Sequence, residues 1–232
     1  MEQCETKPIR RFGEGAYLAA IILLPLGVVL MTKADFGISM VVAPAYLLSL
    51  KITWMSFGVA EYAVQALLLL SFCLIMRKFR FQYLLSFVTA LLYGAILDGL
   101  FLLFTASVPA SMWLRVVFFV LGIVVSSAGI ALFFRAYFPP EVYELFVKGV
   151  AQHLNKDVSR VKVVYDCCSC AVAIVLSLLF FREITGVGIG TVVCALCNGW
   201  IIGLFGKLFD RYIDFSPAFM GLYRLVSTKQ EP

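Results

Sequence analysis

Ala16-Tyr-Leu-Ala-Ala-Ile-Ile-Leu-Leu-Pro-Leu-Gly-Val-Val-Leu-Met-Thr32 runs from position 16 to position 32 without a single charge. At a rise of about 1.5 Å per residue such a helix reaches across most of the ~30 Å hydrocarbon layer of a bilayer. Five further runs behave alike, at 56–76, 83–105, 113–134, 162–181 and 187–208. Stretches near 38–50 and 140–155 are too short or too polar to cross and are expected to form short non-spanning helices. The chain is 62% hydrophobic and 14% charged, with mean hydropathy +0.97. Globular domains average about 45–50% apolar and about 25% charged residues. The expected fold is therefore an all-α membrane protein of about six transmembrane helices, because only helices or closed barrels satisfy the backbone inside lipid.

Lys7, Arg10 and Arg11 precede the first run as in a signal peptide, but no polar mature region follows a small-residue cleavage site, so the run is expected to be retained. The net charge of +5 does not point to nucleic acid, because the cations flank apolar runs instead of forming one stripe. They act as topology signals. Lys7, Arg10 and Arg11, then Arg77, Lys78 and Arg80, then Arg135, Lys148, Lys156, Arg160 and Lys162, then Lys207 and Arg211 fall in alternate loops and tails, and the intervening loops are poorer. The positive-inside rule then gives six crossings with both termini cytoplasmic.

The two halves of the sequence resemble each other. Gly27-Val-Val-Leu-Met-Thr-Lys-Ala-Asp-Phe36 aligns with Gly129-Ile-Ala-Leu-Phe-Phe-Arg-Ala-Tyr-Phe138. Ser56 and Tyr62 align with Ser159 and Tyr165, and Val88, Ala90, Leu91, Gly94 and Ile96 with Val193, Ala195, Leu196, Gly199 and Ile201. Three blocks in order at a nearly constant offset indicate a repeat. Each half holds three spans, an odd number, so two inverted three-helix repeats are expected, residues 16–110 and 111–212, flanked by cytoplasmic tails 1–15 and 213–232. Secondary transporters are often built this way, with the substrate site near the midplane where the repeats meet.

Charges inside the runs are functional candidates because they are costly in lipid. Glu61 and Asp98 are expected in the outer third, with Lys33 at the end of the first span pairing with Glu61 or Asp35. Arg135 is the repeat counterpart of Lys33, and Asp166 lies near the counterpart of Glu61, towards the cytoplasmic end. The expectation is that these sets act as outer and inner gates of an alternating-access cycle, with Tyr62, Tyr93, Tyr165 and Asn198 lining the path. The competing reading is that Glu61 and Asp166 merely reach interfacial water.

Other features read structurally. Gly186-Val-Gly-Ile-Gly190 follows no strand, so it breaks the chain before the last span and does not cradle a phosphate. Gly199 and Gly203 suit close helix packing. His153 is a surface residue, and Pro139 and Pro140 stop the fourth span. Cys73, Cys167, Cys168, Cys170, Cys194 and Cys197 lie in apolar helices as small hydrophobes; a soft-metal site on Cys167, Cys170, Cys194 and Cys197 is the alternative to helix packing. No nucleophile elbow, zinc histidine pair or Walker lysine supports an enzyme, and no cofactor or metal is expected.

Ala34-Asp35-Phe36-Gly37-Ile38-Ser39-Met40 through Ala43-Pro44, Tyr93-Gly94 with Ile96-Leu97-Asp98, and Gly188-x-Gly190-Thr191 resemble motifs of the YczE/YyaS/YitT-like bacterial membrane proteins over about residues 16–214. The resemblance implies a multi-pass protein of the bacterial inner (plasma) membrane without a settled activity. Tyr137-Phe138-Pro139-Pro140 departs from the family's glycine-rich turn. The leading functional expectation is a secondary transporter or permease for a small solute, coupled to protons or cations through Glu61, Asp98 and Asp166. The alternatives are a substrate-binding subunit of a multi-component importer, suggested by Ala16-x-x-x-Ala20, and a non-transporting scaffold or regulator. Lipid is the expected partner, nucleic acid is not, and a homo-oligomer is compatible with every reading.

Overall fold

The computed structural model describes residues 12–77, 81–104 and 111–217, with the side chains of 81 and 82 left aside. Lys7, Arg10, Arg11, Lys78, Arg80 and most of the two tails lie outside the described residues. The described chain is all helical: α1 (Gly13–Ala34), α2 (Ala43–Lys51), α3 (Phe57–Met76), α4 (Phe81–Leu103), α5 (Met112–Arg135), α6 (Val142–His153), α7 (Val158–Phe181) and α8 (Ile189–Tyr212). Six are long and apolar enough to cross a membrane, and α2 and α6 are the short ones. Leu67, Leu70, Leu74, Leu102, Leu179 and Leu204 are each more than 60% exposed. Leucines outside and carboxylates inside reverse the pattern of a water-soluble protein and suit a lipid-facing surface.

The packing repeats between the halves. α1 packs on α4 as α5 packs on α8, and α3 on α4 as α7 on α8. α2 lies against both α3 and α7, and so does α6. At the centre α1 crosses α5, with glycines setting the approach: a Cβ at Gly27 would lie 2.6 Å from the Gly122 carbonyl and the Ser126 nitrogen, and one at Gly129 would lie 2.9 Å from the Leu24 nitrogen. These contacts exchange under the sequence alignment, since Gly27 corresponds to Gly129 and Leu24 to Ser126. A local two-fold relation between α1 and α5 requires that exchange. With three spanning-length helices per half, the arrangement is compatible with halves inserted in opposite senses.

Local sequence explains where the elements stop. α1, α3 and α7 end on Asp35, Arg77 and Arg182 in the left-handed conformation, as helix C-termini commonly do. Pro44 opens α2 in its first turn, where proline's missing N–H costs nothing. The Gly186–Gly190 segment meets the loop after α1: Gly190 N donates to Phe36 O at 2.8 Å, Ile38 N to Gly186 O at 3.1 Å, and Thr191 Oγ1 to Ile38 O at 2.8 Å. Gly37 has φ +109°, and a Cβ there would meet the Gly188 nitrogen at 2.5 Å, so both glycine loops are needed for this junction. The junction ties the first half to the start of α8. Gly199 brings α8 onto Ser159 and Val163 of α7.

Candidate functional site

The short helix α6 inserts two carboxylates between α3 and α7. α5 ends at Arg135 with Ala136 extended, before Pro139 and Pro140 and not at them as expected; after the prolines Glu141 becomes the N-cap residue of α6, with Glu144 in its first turn. Both are buried, at 1% and 2% exposure, so neither side chain reaches solvent. The wholly buried Gln65 of α3 joins them to Glu61: its Nε2 donates to Glu141 Oε1 at 2.6 Å and to Glu61 Oε2 at 3.3 Å, and its Oε1 accepts from Val142 N at 3.3 Å. Tyr143 adds a hydroxyl donor to Glu61 Oε2 at 3.0 Å.

On the other side of α6, Lys162 of α7 is fully buried between Asp166 at 3.1 Å and Glu144 at 3.6 Å. The register is informative. Phe57 and Val158 open α3 and α7, and with the helix starts superposed Glu61 falls opposite Lys162 and Gln65 opposite Asp166. Each helix therefore directs an i, i+4 polar pair at the same place, and α6 lies between them. The repeat alignment through Tyr62 and Tyr165 sits two positions away, so Lys162 is the counterpart of Glu61 in this helix register.

Four carboxyls, of Glu61, Glu141, Glu144 and Asp166, are thus buried with one ammonium, which pairs with Glu144 and Asp166. A buried charge must be paired or neutralised, and here the acids outnumber the base. Burial, then the neighbouring carboxylates of Glu144 and Glu61, raises the Glu141 carboxyl well above the ordinary carboxylate range. Burial also raises Glu144, with Lys162 pulling the other way. Among the described residues, Glu61 Oε1, Glu141 Oε2, Glu144 Oε2 and the Tyr93 hydroxyl are buried without a hydrogen-bond partner. Such atoms are rare in folded proteins, and each has a cost of about 1–3 kcal/mol unless something meets it.

A small cavity of about 20 Å³ adjoins this network. Its wall includes Glu141, Tyr143, Glu144, Tyr93, Asn198 and Ser126, with Ser39, Val41 and Val42 from the entry to α2. The N-terminal ends of both short helices therefore touch the same space. Ser127 Oγ donates to Asn198 Oδ1 at 2.6 Å and fixes that amide.

The expected site residues divide into those this network gathers and those it does not. Glu61 and Asp166, expected towards opposite ends, belong to two buried polar sets on either side of α6, and Tyr93 and Asn198 border the adjoining cavity. Tyr165 packs on Phe146 of α6, beside the Lys162 ammonium. Asp98 is used elsewhere: its Oδ1 accepts from Gly58 N at 2.8 Å and its Oδ2 from Ser56 Oγ at 2.6 Å, which secures the start of α3. Tyr62 donates to Leu91 O at 3.1 Å between α3 and α4. Asp35 pairs with Arg115 at 2.9 Å, while the Lys33 ammonium lies over the Phe101 ring. Arg135 holds Asp210 of α8 at 2.6 Å.

Glu141, Glu144 and Lys162 were not singled out from sequence. The first two read as part of a polar loop helix and the third as a topology cation, which its complete burial corrects. Two signals pointed to them: the Pro139-Pro140 break before an amphipathic helix, and the Lys162–Asp166 spacing of four inside an apolar run. Among the described residues, no group of three or more His, Cys, Asp and Glu side chains is arranged to hold a metal.

Comparison with curated proteins and with solved structures finds no match. A family model does match, over residues 11–207, which takes in all six long helices and the buried network up to the last turn of α8. The chain belongs to that family, described as "Family of unknown function (DUF6198)".

Proposed function

We propose that this protein is a secondary transporter or permease for a small solute, coupled to protons or cations, whose working centre is the buried acid network where the two halves meet. The observation that carries the reading is the sharing of four carboxyls and one ammonium among α3, α6 and α7 at no more than 2% exposure. A scaffold gains little stability from such a cluster, since an apolar core of equal volume is often as stable or more so. Coupling does have a use for it, because loading and unloading a positive charge changes how the surrounding helices pack. The two short helices converging on one internal space support the same reading, as broken helices do in transporters built from repeats.

In this reading the halves are inverted repeats in the plasma membrane with both termini cytoplasmic, and the proteins share a wider kinship with YczE/YyaS/YitT-like proteins through the motifs around Asp35–Pro44 and Gly188–Thr191. Asp98, Asp35–Arg115 and Arg135–Asp210 serve as structural ties and not as the coupling groups. The importer-subunit alternative drew on the Ala16 and Ala20 face, but both residues are completely buried within the bundle and offer nothing to a separate partner.

The test is flux in proteoliposomes. Purified protein is reconstituted with an imposed sodium or proton gradient, and uptake is measured across a panel of amino acids, nucleobases, vitamins and organic cations. Gradient-driven uptake of one class, abolished in Glu61→Gln/Asp166→Asn, is the expected result. A double variant that transports at the wild-type rate removes the network from the mechanism, and no uptake of any panel member under either gradient removes the transporter reading.

A further inference from the structure

We infer that the cavity between the entries to α2 and α6 is a binding site for one dehydrated monovalent cation of sodium size, held by the Glu141 and Glu144 carboxylates and the Tyr93 hydroxyl, with the Asn198 amide oxygen and Ser126 hydroxyl completing its oxygen shell. The inference deepens the transporter reading by naming the coupling ion, although the binding itself does not depend on transport.

Size is the first argument. About 20 Å³ is room for one water-sized particle, since one probe sphere needs roughly 10–15 Å³. A hydrated ion or an organic solute does not fit. The space therefore suits the coupling ion and not the transported solute.

Unmet valence is the second argument, and it is independent of the acidic cluster as such. Tyr93, Glu141 and Glu144 are buried and line the cavity; among the described residues the Tyr93 hydroxyl, Glu141 Oε2 and Glu144 Oε2 have no hydrogen-bond partner. Their other oxygens are committed to Gln65 and Lys162, so the carboxylates are held from behind with one oxygen each left over. A cation in the cavity meets all three.

Chemistry and charge narrow the ligand further. Every candidate donor is oxygen, which selects a hard cation, and sulfur or imidazole donors for zinc, copper or iron are missing from the wall. The five oxygen-bearing groups of this shell, in a space too small for metal-bound water, fall short of calcium's usual six to eight oxygens. An anion is disfavoured by the charges of the lining and of the network beside it: Glu141 and Glu144 on α6 line the space, and Glu61 on α3 and Lys162 with Asp166 on α7 are buried next to that helix. One monovalent cation reduces the excess of negative charge, and the N-terminal ends of α2 and α6 help to keep the coordinating carboxylates ionised.

The experiment is thermal unfolding of the full-length protein in detergent, titrated with sodium chloride at constant ionic strength against potassium chloride and choline chloride. The expected result is a saturable rise in Tm with sodium, because a ligand bound only to the folded state stabilises it. Potassium and choline should leave Tm unchanged. Tyr93→Phe keeps the shape of the site and should weaken sodium binding at least severalfold; Glu141→Gln should abolish the saturable rise; Asp210→Asn, outside the site, should retain it. Equal shifts with choline or potassium, or an unchanged sodium response in both Tyr93→Phe and Glu141→Gln, overturn the inference. Flux measured separately in proteoliposomes distinguishes the two claims: proton-driven uptake with no sodium binding removes the ion assignment alone, whereas sodium binding without uptake under any gradient leaves the site and removes transport.

Discussion

Replacing Lys162 by methionine removes the only ammonium from the buried network while keeping much of the side chain's length. Lys162 and Asp166 have no exposed side-chain surface and Glu144 has 2%, so water does not screen the pairs at 3.1 and 3.6 Å. Removing one member of a fully buried ion pair leaves an uncompensated charge and costs about 3–5 kcal/mol. That is a large part of a total stability on the order of 5–15 kcal/mol. For a chain of this size Tm should fall by on the order of 10 °C, at about 2–4 °C per kcal/mol. The triple variant Lys162→Met/Glu144→Gln/Asp166→Asn removes the stranded charges as well and should recover most of the loss, since uncharged replacement of a buried ionic group is often neutral or better. Unfolding can be followed in detergent with a thiol-reactive dye, which gains access to Cys170 and Cys194, buried in the native fold. A single variant within about 0.5 kcal/mol of wild type, the range of an ordinary surface change, or a triple variant no more stable than the single, refutes the reasoning.

The helix contacts give further expectations. Gly27→Ala should destabilise by about 1–3 kcal/mol, as overpacking does, because its Cβ would meet the Gly122 carbonyl at 2.6 Å; Gly99→Ala, with nothing within 4 Å of the new carbon, should instead gain up to about 1 kcal/mol of helix propensity. Thermal unfolding of the two variants side by side checks both signs. Asp98→Ala should cost about 1–3 kcal/mol, because Gly58 N and Ser56 lose their acceptor, and hydrogen exchange at the first turn of α3 should rise. Arg115→Ala should cost more than Asp35→Asn, whose exposed ion pair is worth less than about 1 kcal/mol, because Arg115 also donates to the Ala34 and Asp35 carbonyls at 2.9 Å. Chemical denaturation of the pair decides the order. Glu141 is raised by burial, so its share of stability is present in full below an ordinary glutamate pKa of about 4.3 and is lost as pH rises through the raised folded value; sodium-free Tm should therefore fall on going from mildly acid to neutral pH, and the fall should shrink in Glu141→Gln.

The spans were legible because hydrocarbon imposes a length: α1, α3 and α5 begin and end within about three residues of the runs read at 16–32, 56–76 and 113–134. The short helices were legible from Gly37, Pro44, Pro139 and Pro140, which interrupt apolar sequence. The site was only half legible. Glu61 and Asp166 stand out as acids in apolar runs, but nothing along the chain says that both lie beside α6. The glutamates of α6 look like those of any solvated loop helix until α3 and α7 close over them. Lys162 was hidden for a related reason, since a cation at the start of a span is what the positive-inside rule expects. Asp98, an acid deep in the linear run of α4, faces the start of α3 and accepts from the Gly58 amide and the Ser56 hydroxyl, a contact nothing along the chain foretells.

In the proposed reading, two related three-span halves lie upside down with respect to each other around a shared buried site. Corresponding loops must then face opposite sides of the membrane. Trp54, between α2 and α3, and Asn155, between α6 and α7, are exposed residues in such a pair of loops. With the native cysteines replaced, Trp54→Cys and Asn155→Cys should react with a membrane-impermeant maleimide from opposite sides of the membrane, Trp54→Cys from outside intact cells and Asn155→Cys only after the membrane is opened. Labelling of both positions from the same side would contradict the account.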